Sequence, residues 1–121
     1  PLLADELRGL DNGQINRRIA ALQGWTDVAE HWSGYSVGIH PDGGYHTLPR
    51  WASDTDRALD LTADFQSITF RREGKTYVVQ AEHRLIRVAV TAPSLARALS
   101  EAYLTVAELE KALTGYQLPI D

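Results

Sequence analysis

The residues best equipped for chemistry crowd between positions 25 and 51, where Trp25, Trp32, Trp51, Tyr35 and Tyr45 stand among His31, His40 and His46. A ring offers a large contact area at low entropic cost, so this group can stack on a base or enclose a partner's apolar side chain. The same rings can instead pin an irregular segment to the core. Trp25 and Trp51, each beside a helix boundary, suit that structural role better than Trp32, Tyr35 and Tyr45, whose Gly neighbours suggest an exposed loop. The three histidines and Asp42 supply the donor types of a zinc site, yet their spacing follows no metal signature and no Glu adjoins a His as in H-E-x-x-H. No metal is expected. Arg71, Arg72 and Lys75 flank a turn at Glu73-Gly74, with Arg84 and Arg87 on the strand that follows. They can receive phosphate through paired hydrogen bonds, or form a solvated edge that discourages aggregation.

No nucleophile with a base, no carboxylate pair with a reason to differ in pKa and no Gly-rich phosphate loop stands at motif spacing. Gly43-Gly44 reads as a turn and Ser53 as a helix cap. The expectation is a protein without catalysis or cofactor whose ligand contacts are Trp32, Tyr35, Tyr45, His46, Arg50, Trp51, Arg71 and Arg87.

These residues need elements to hold them. Asp11 and Gln14 form a capping box, Leu10 and Ile15 a hydrophobic staple, and Ile15, Ile19 and Leu22 an apolar stripe, so a helix is predicted from here to Gly24. Tyr35 to Ile39 and Tyr45 to Leu48 read as a short hairpin turning at Pro41-Asp42-Gly43-Gly44, with Tyr35 facing Tyr45. Ser53 and Asp56 announce a helix running to about Ala63. Ser67 to Arg71, then Tyr77, Val79 and Ala81, then Ile86, Val88 and Val90 alternate as three strands of an antiparallel meander. Thr91-Ala92-Pro93-Ser94 opens a last helix, where exposed N–H groups can meet an anion but structural capping is the commoner use. A second box at Thr105 to Glu108 predicts a bend.

With 121 residues, 44% of them hydrophobic and 23% charged, the chain is expected to form one domain over 1–121. Its class is α+β, a sandwich in which helices cover an antiparallel sheet, the meander with the short hairpin beside it. The absence of cysteine removes disulfides and thiolate chemistry. A formal charge of −4 argues against duplex nucleic acid as a partner. No apolar run is long enough to span a membrane and Pro1 to Glu6 lacks a signal-peptide pattern, so a cytoplasmic setting is expected.

Three stretches, Ile19 to Asp27, Leu48 to Asp56 and Val90 to Leu99, resemble in content, order and spacing the phage ABA sandwich domain family, over roughly residues 12 to 104. The family's Pro-x-Tyr-Ser-Thr-Asp is here the longer Pro49 to Asp56, with Trp51 in place of Tyr. The resemblance implies helices on both faces of the sheet and a phage or prophage origin, and no established reaction. The expected function is sequestration of a small ligand, such as a nucleotide signal of host antiviral defence, with inhibition of a host defence protein as the alternative. A homo-oligomer is expected, because small domains often complete a core or site through a symmetric partner.

Overall fold

The computed structural model describes residues 3–31 and 35–115. Its order is α1 (Leu3–Arg8), α2 (Asn12–Leu22), β1 (Thr26–Glu30), β2 (Ser36–Ile39), β3 (Tyr45–Thr47), α3 (Thr55–Leu61), β4 (Ser67–Glu73), β5 (Thr76–His83), β6 (Ile86–Ala92) and α4 (Leu95–Gly115). Two antiparallel three-stranded sheets form, β1-β2-β3 and the meander β4-β5-β6. The class is α+β, a helix-covered sheet sandwich. Among the described residues no helix is long and apolar enough to cross a membrane.

Local signals set the starts of the helices. Asp11 accepts from the Gln14 N–H at 2.8 Å while the Gln14 side chain accepts from the Asp11 N–H, which completes the capping box of α2. Gly24 follows the last turn at φ +90°, a conformation that costs a residue with a Cβ. The cap of α3 is Asp54 rather than Ser53. Ser53 still belongs to a turn closed on the Arg50 carbonyl, so the first extended residue that can reach the free N–H groups of Asp56 and Arg57 is Asp54. No bend occurs at Thr105: its hydroxyl donates to the Glu101 carbonyl at 2.7 Å, and α4 runs on unbroken.

α4 is the central element. One side carries Ala98, Leu99 and Ala102 against Val79, Ala81, Val90 and Ala92 of the meander and Ala58 of α3. These small side chains let helix and sheet approach closely. Its other side carries Leu104 into a second cluster with Leu7, Ile15, Ile19, Trp25, Trp51 and Leu61. Leu22 departs from its expected stripe and is 40% exposed, because the buried face of α2 is completed by Ile15, Ile19 and Ala20.

Among the described residues the helices pack on the face of the meander that carries Val79, Ala81 and Val90. Register pairs Thr69 with Gln80 and Gln80 with Ala89 on the outer face, and these residues are exposed together with Arg71, Arg87 and Thr91. The covering of both faces that the resemblance implied is thus not found among the described residues. β1 escaped the sequence reading because its burial does not alternate: only Val28 is half-buried, and a bulge with Asp27 at φ +51° interrupts its pairing.

Candidate functional site

The site begins where three chain segments meet at the start of α4. Ser94 caps that helix, its Oγ accepting from the Arg97 N–H at 3.1 Å. One turn into α4, Arg97 and Glu101 form a buried ion pair, Nε to Oε2 2.6 Å, with side chains 10% and 7% exposed. The guanidinium also donates to the Leu7 and Leu10 carbonyls at 2.8 and 2.6 Å and to Asn12 Oδ1 at 2.7 Å. Four of its five N–H groups are therefore engaged. The cation sits where α1 ends and its carbonyls lack intrahelical partners, so Arg97 satisfies that helix end and ties it to α2.

A cleft of about 580 Å³ opens beside this network, lined by Arg8, Asn12, Thr91, Ser94, Arg97 and Glu101 among others. Its size falls within the roughly 300–1,000 Å³ of small-molecule sites. Arg97 and Glu101 neutralise each other, so the charge left over among the lining residues is that of Arg8, which pairs with Asp5 at 3.7 Å in an exposed position. The cleft thus combines one exposed cation, fixed polar groups and a hydroxyl-bearing wall. It is suited to a small anion carrying hydrogen-bonding groups.

The residues expected from sequence do not assemble into one site. Tyr35 and Arg50 share a cavity of about 210 Å³ with Asn16 and Ser53, small for an organic ligand. The Tyr35 ring stacks on His31, centroids 4.6 Å apart and planes 11° apart. Tyr45 does not face Tyr35. Register sets it opposite Ile39, and it is 68% exposed. Trp51 is 5% exposed and belongs to the core, as Trp25 does at 8%, so neither ring is available to a ligand. Arg71 pairs with Glu73 at 2.6 Å, and Arg87 with Glu82 at 2.9 Å above a groove of about 460 Å³ on the outer face of the meander. Both belong to a different sheet from Tyr45. Trp32 lies outside the described residues.

Exposed His46 stands in β3 beside a polar turn instead. Asp42 Oδ1 lies 3.2 Å from His40 Nδ1 and 4.0 Å from His46 Nε2. The Gly44 N–H, 2.7 Å from the same oxygen, holds the Asp42 carboxyl below its ordinary 3.8; desolvation opposes this, and the neighbouring His40 and His46 support it. Among the described residues no group of three His, Asp or Glu side chains is placed to hold a metal ion.

Arg8, Asn12, Arg97 and Glu101 were not singled out from sequence. One signal was present. Residues 95–106 are apolar on nearly every side of the helix apart from Arg97, Ser100, Glu101 and Thr105, so a helix buried nearly all round has to bury those two charges too. No protein-family model matches the chain, and no curated protein matches it in sequence.

Proposed function

We propose that this protein is a non-catalytic binder of a small anionic ligand, a nucleotide being the leading class, held in the cleft at the start of α4. The carrying observation is the cleft of about 580 Å³ whose wall includes a buried, self-neutralised Arg97–Glu101 pair and whose rim holds the guanidinium of Arg8. A pair fixed by four hydrogen bonds has little freedom to take part in proton transfer, but it gives the wall a rigid polar surface. Arg8, being exposed, can turn toward a phosphate or carboxylate. Segment 90–99, which forms part of this wall, is also one of the stretches that resemble phage ABA sandwich proteins, which supports a role as a phage accessory factor that sequesters a host signal.

Isothermal titration against a panel of nucleotides and inorganic phosphate tests this reading. At least one nucleotide should bind and be recovered unchanged, and Arg8→Ala should weaken it about tenfold or more while the melting temperature stays put. Binding by no member of the panel, equal binding by Arg8→Ala, or conversion of the ligand would each overturn the proposal. Pull-down of a stoichiometric host protein together with a blank titration would favour the inhibitor reading.

A further inference from the structure

The hydrogen-bonding groups that line the cleft at the start of α4 differ in what they have left to offer. A guanidinium can only donate, and Nη1 of Arg97 lies 2.7 Å from the carboxamide of Asn12, so the atom facing it must be the oxygen. That contact fixes which way the carboxamide is turned. Its other arm, Nδ2, points away from Arg97 and makes no hydrogen bond among the described residues, which leaves two N–H donors on an exposed side chain of the cleft wall. Ser94 adds another donor. Its Oγ accepts from the Arg97 N–H at 3.1 Å, so its own proton remains to be given. Acceptors are scarcer. Glu101, the one anion among the lining residues, is held by Arg97 Nε at 2.6 Å with its side chain 7% exposed. Thr76 keeps its lone pairs, because its hydroxyl donates to the Glu73 carbonyl at 3.0 Å, and Thr91 can act either way. With the guanidinium of Arg8 added, donors outweigh acceptors.

We infer that the cleft selects its ligand by hydrogen-bond acceptors and that Asn12 reads the base, taking purines with a ring carbonyl, guanine or hypoxanthine, over adenine. The inference rests on the proposal that the cleft binds a nucleotide. An asparagine recognises adenine by a paired contact, its amide N–H donating to a ring nitrogen while its oxygen accepts from the exocyclic amino group. Here the oxygen is committed to Arg97, so the amino group of adenine would meet the Nδ2 donors with no acceptor beside them. A guanine or hypoxanthine presents two adjacent acceptors, the carbonyl and the ring nitrogen, to the same two N–H groups. A site that must pair its polar groups rejects an analogue that leaves them unpaired more strongly than an apolar pocket does. Arg97 is therefore a positioning residue for Asn12 as well as a tie between helices.

Isothermal titration with inosine and adenosine monophosphates provides the test. The parent should bind the inosine nucleotide at least about tenfold more tightly. Asn12→Asp keeps an oxygen for Arg97 and places an acid in the first turn of α2, so the melting temperature should hold, while an acceptor replaces the two donors. The ratio of the two affinities should then vanish or invert. The added charge repels both monophosphates alike, so the ratio reads the base contact alone. Equal binding of the two by the parent, or a preference for the adenosine nucleotide, with both weakened by Arg8→Ala, overturns this inference and leaves the anion site standing. An unchanged preference in Asn12→Asp overturns the role of Asn12. Binding of neither nucleotide overturns the nucleotide reading of the cleft and this inference with it.

Discussion

Replacing Arg97 by Met should be among the most damaging single changes in this chain. Met keeps most of the side chain's length but removes the guanidinium, leaving the Glu101 carboxylate, 7% exposed, without its cation. The same change leaves the carbonyls of Leu7 and Leu10 without the donors that lie 2.8 and 2.6 Å away. Stranding one member of a buried pair costs about 3–5 kcal/mol, a large part of the roughly 5–15 kcal/mol that a domain of this size commands. The melting temperature should fall by roughly 10–25 °C. Glu101→Gln should be milder, about 1–2 kcal/mol, because Arg97 keeps Asn12 and both carbonyls as acceptors and the amide oxygen still receives Nε. The double variant Arg97→Met/Glu101→Leu should be more stable than Arg97→Met alone, since no charge is then buried unpaired. Urea denaturation of the three variants beside the parent measures each of these costs. A cost below about 1 kcal/mol for Arg97→Met, or a larger cost for Glu101→Gln than for Arg97→Met, would refute this account of the network.

Trp51→Ala should cost about 3–5 kcal/mol in denaturant, whereas exposed Tyr45→Ala should stay within about 0.5 kcal/mol and leave ligand affinity unchanged, because Tyr45 lies outside the cleft. Gly38→Ala should destabilise by about 1–3 kcal/mol, since the new Cβ would lie 2.9 Å from Val28 Cγ2 and 3.2 Å from the Thr26 carbonyl oxygen, pushing β1 off β2; an unchanged melting temperature would contradict this packing. The Asp42 carboxyl, held below 3.8 in the folded state, stabilises the β2–β3 turn fully above that ordinary value, and the contribution disappears as pH falls through the lower folded value. An NMR titration of the Gly44 amide should therefore show a midpoint below 3.8, and in Asp42→Asn that transition should be absent.

The sequence by itself determined what depends on a few neighbouring residues. The capping box of Asp11 and Gln14 requires only a helical turn to close, and it closes as read. Alternation along Ser67–Glu73, Thr76–His83 and Ile86–Ala92 leaves the meander one satisfactory arrangement, because a slip of one residue would turn Val79, Ala81 and Val90 away from α4. Trp25 was legible as structural from its place at a helix boundary and is core, while Trp51, read from its position as structural but also expected to contact a ligand, is core alone. Tertiary structure decided the rest. Whether Thr105 caps a new helix or donates back to Glu101 depended on the continuous bed that α2, α3 and the meander provide for α4. Tyr45 was separated from Tyr35 by the register of β2 and β3, which the length of their turn did not reveal. Most of all, only Glu101, four residues on, could be read from the neighbourhood of Arg97, and the other acceptors that fix it lie far off in the chain. They come from Leu7, Leu10 and Asn12, 85 to 90 residues away, and a charge acquires its meaning from what surrounds it after the chain has folded.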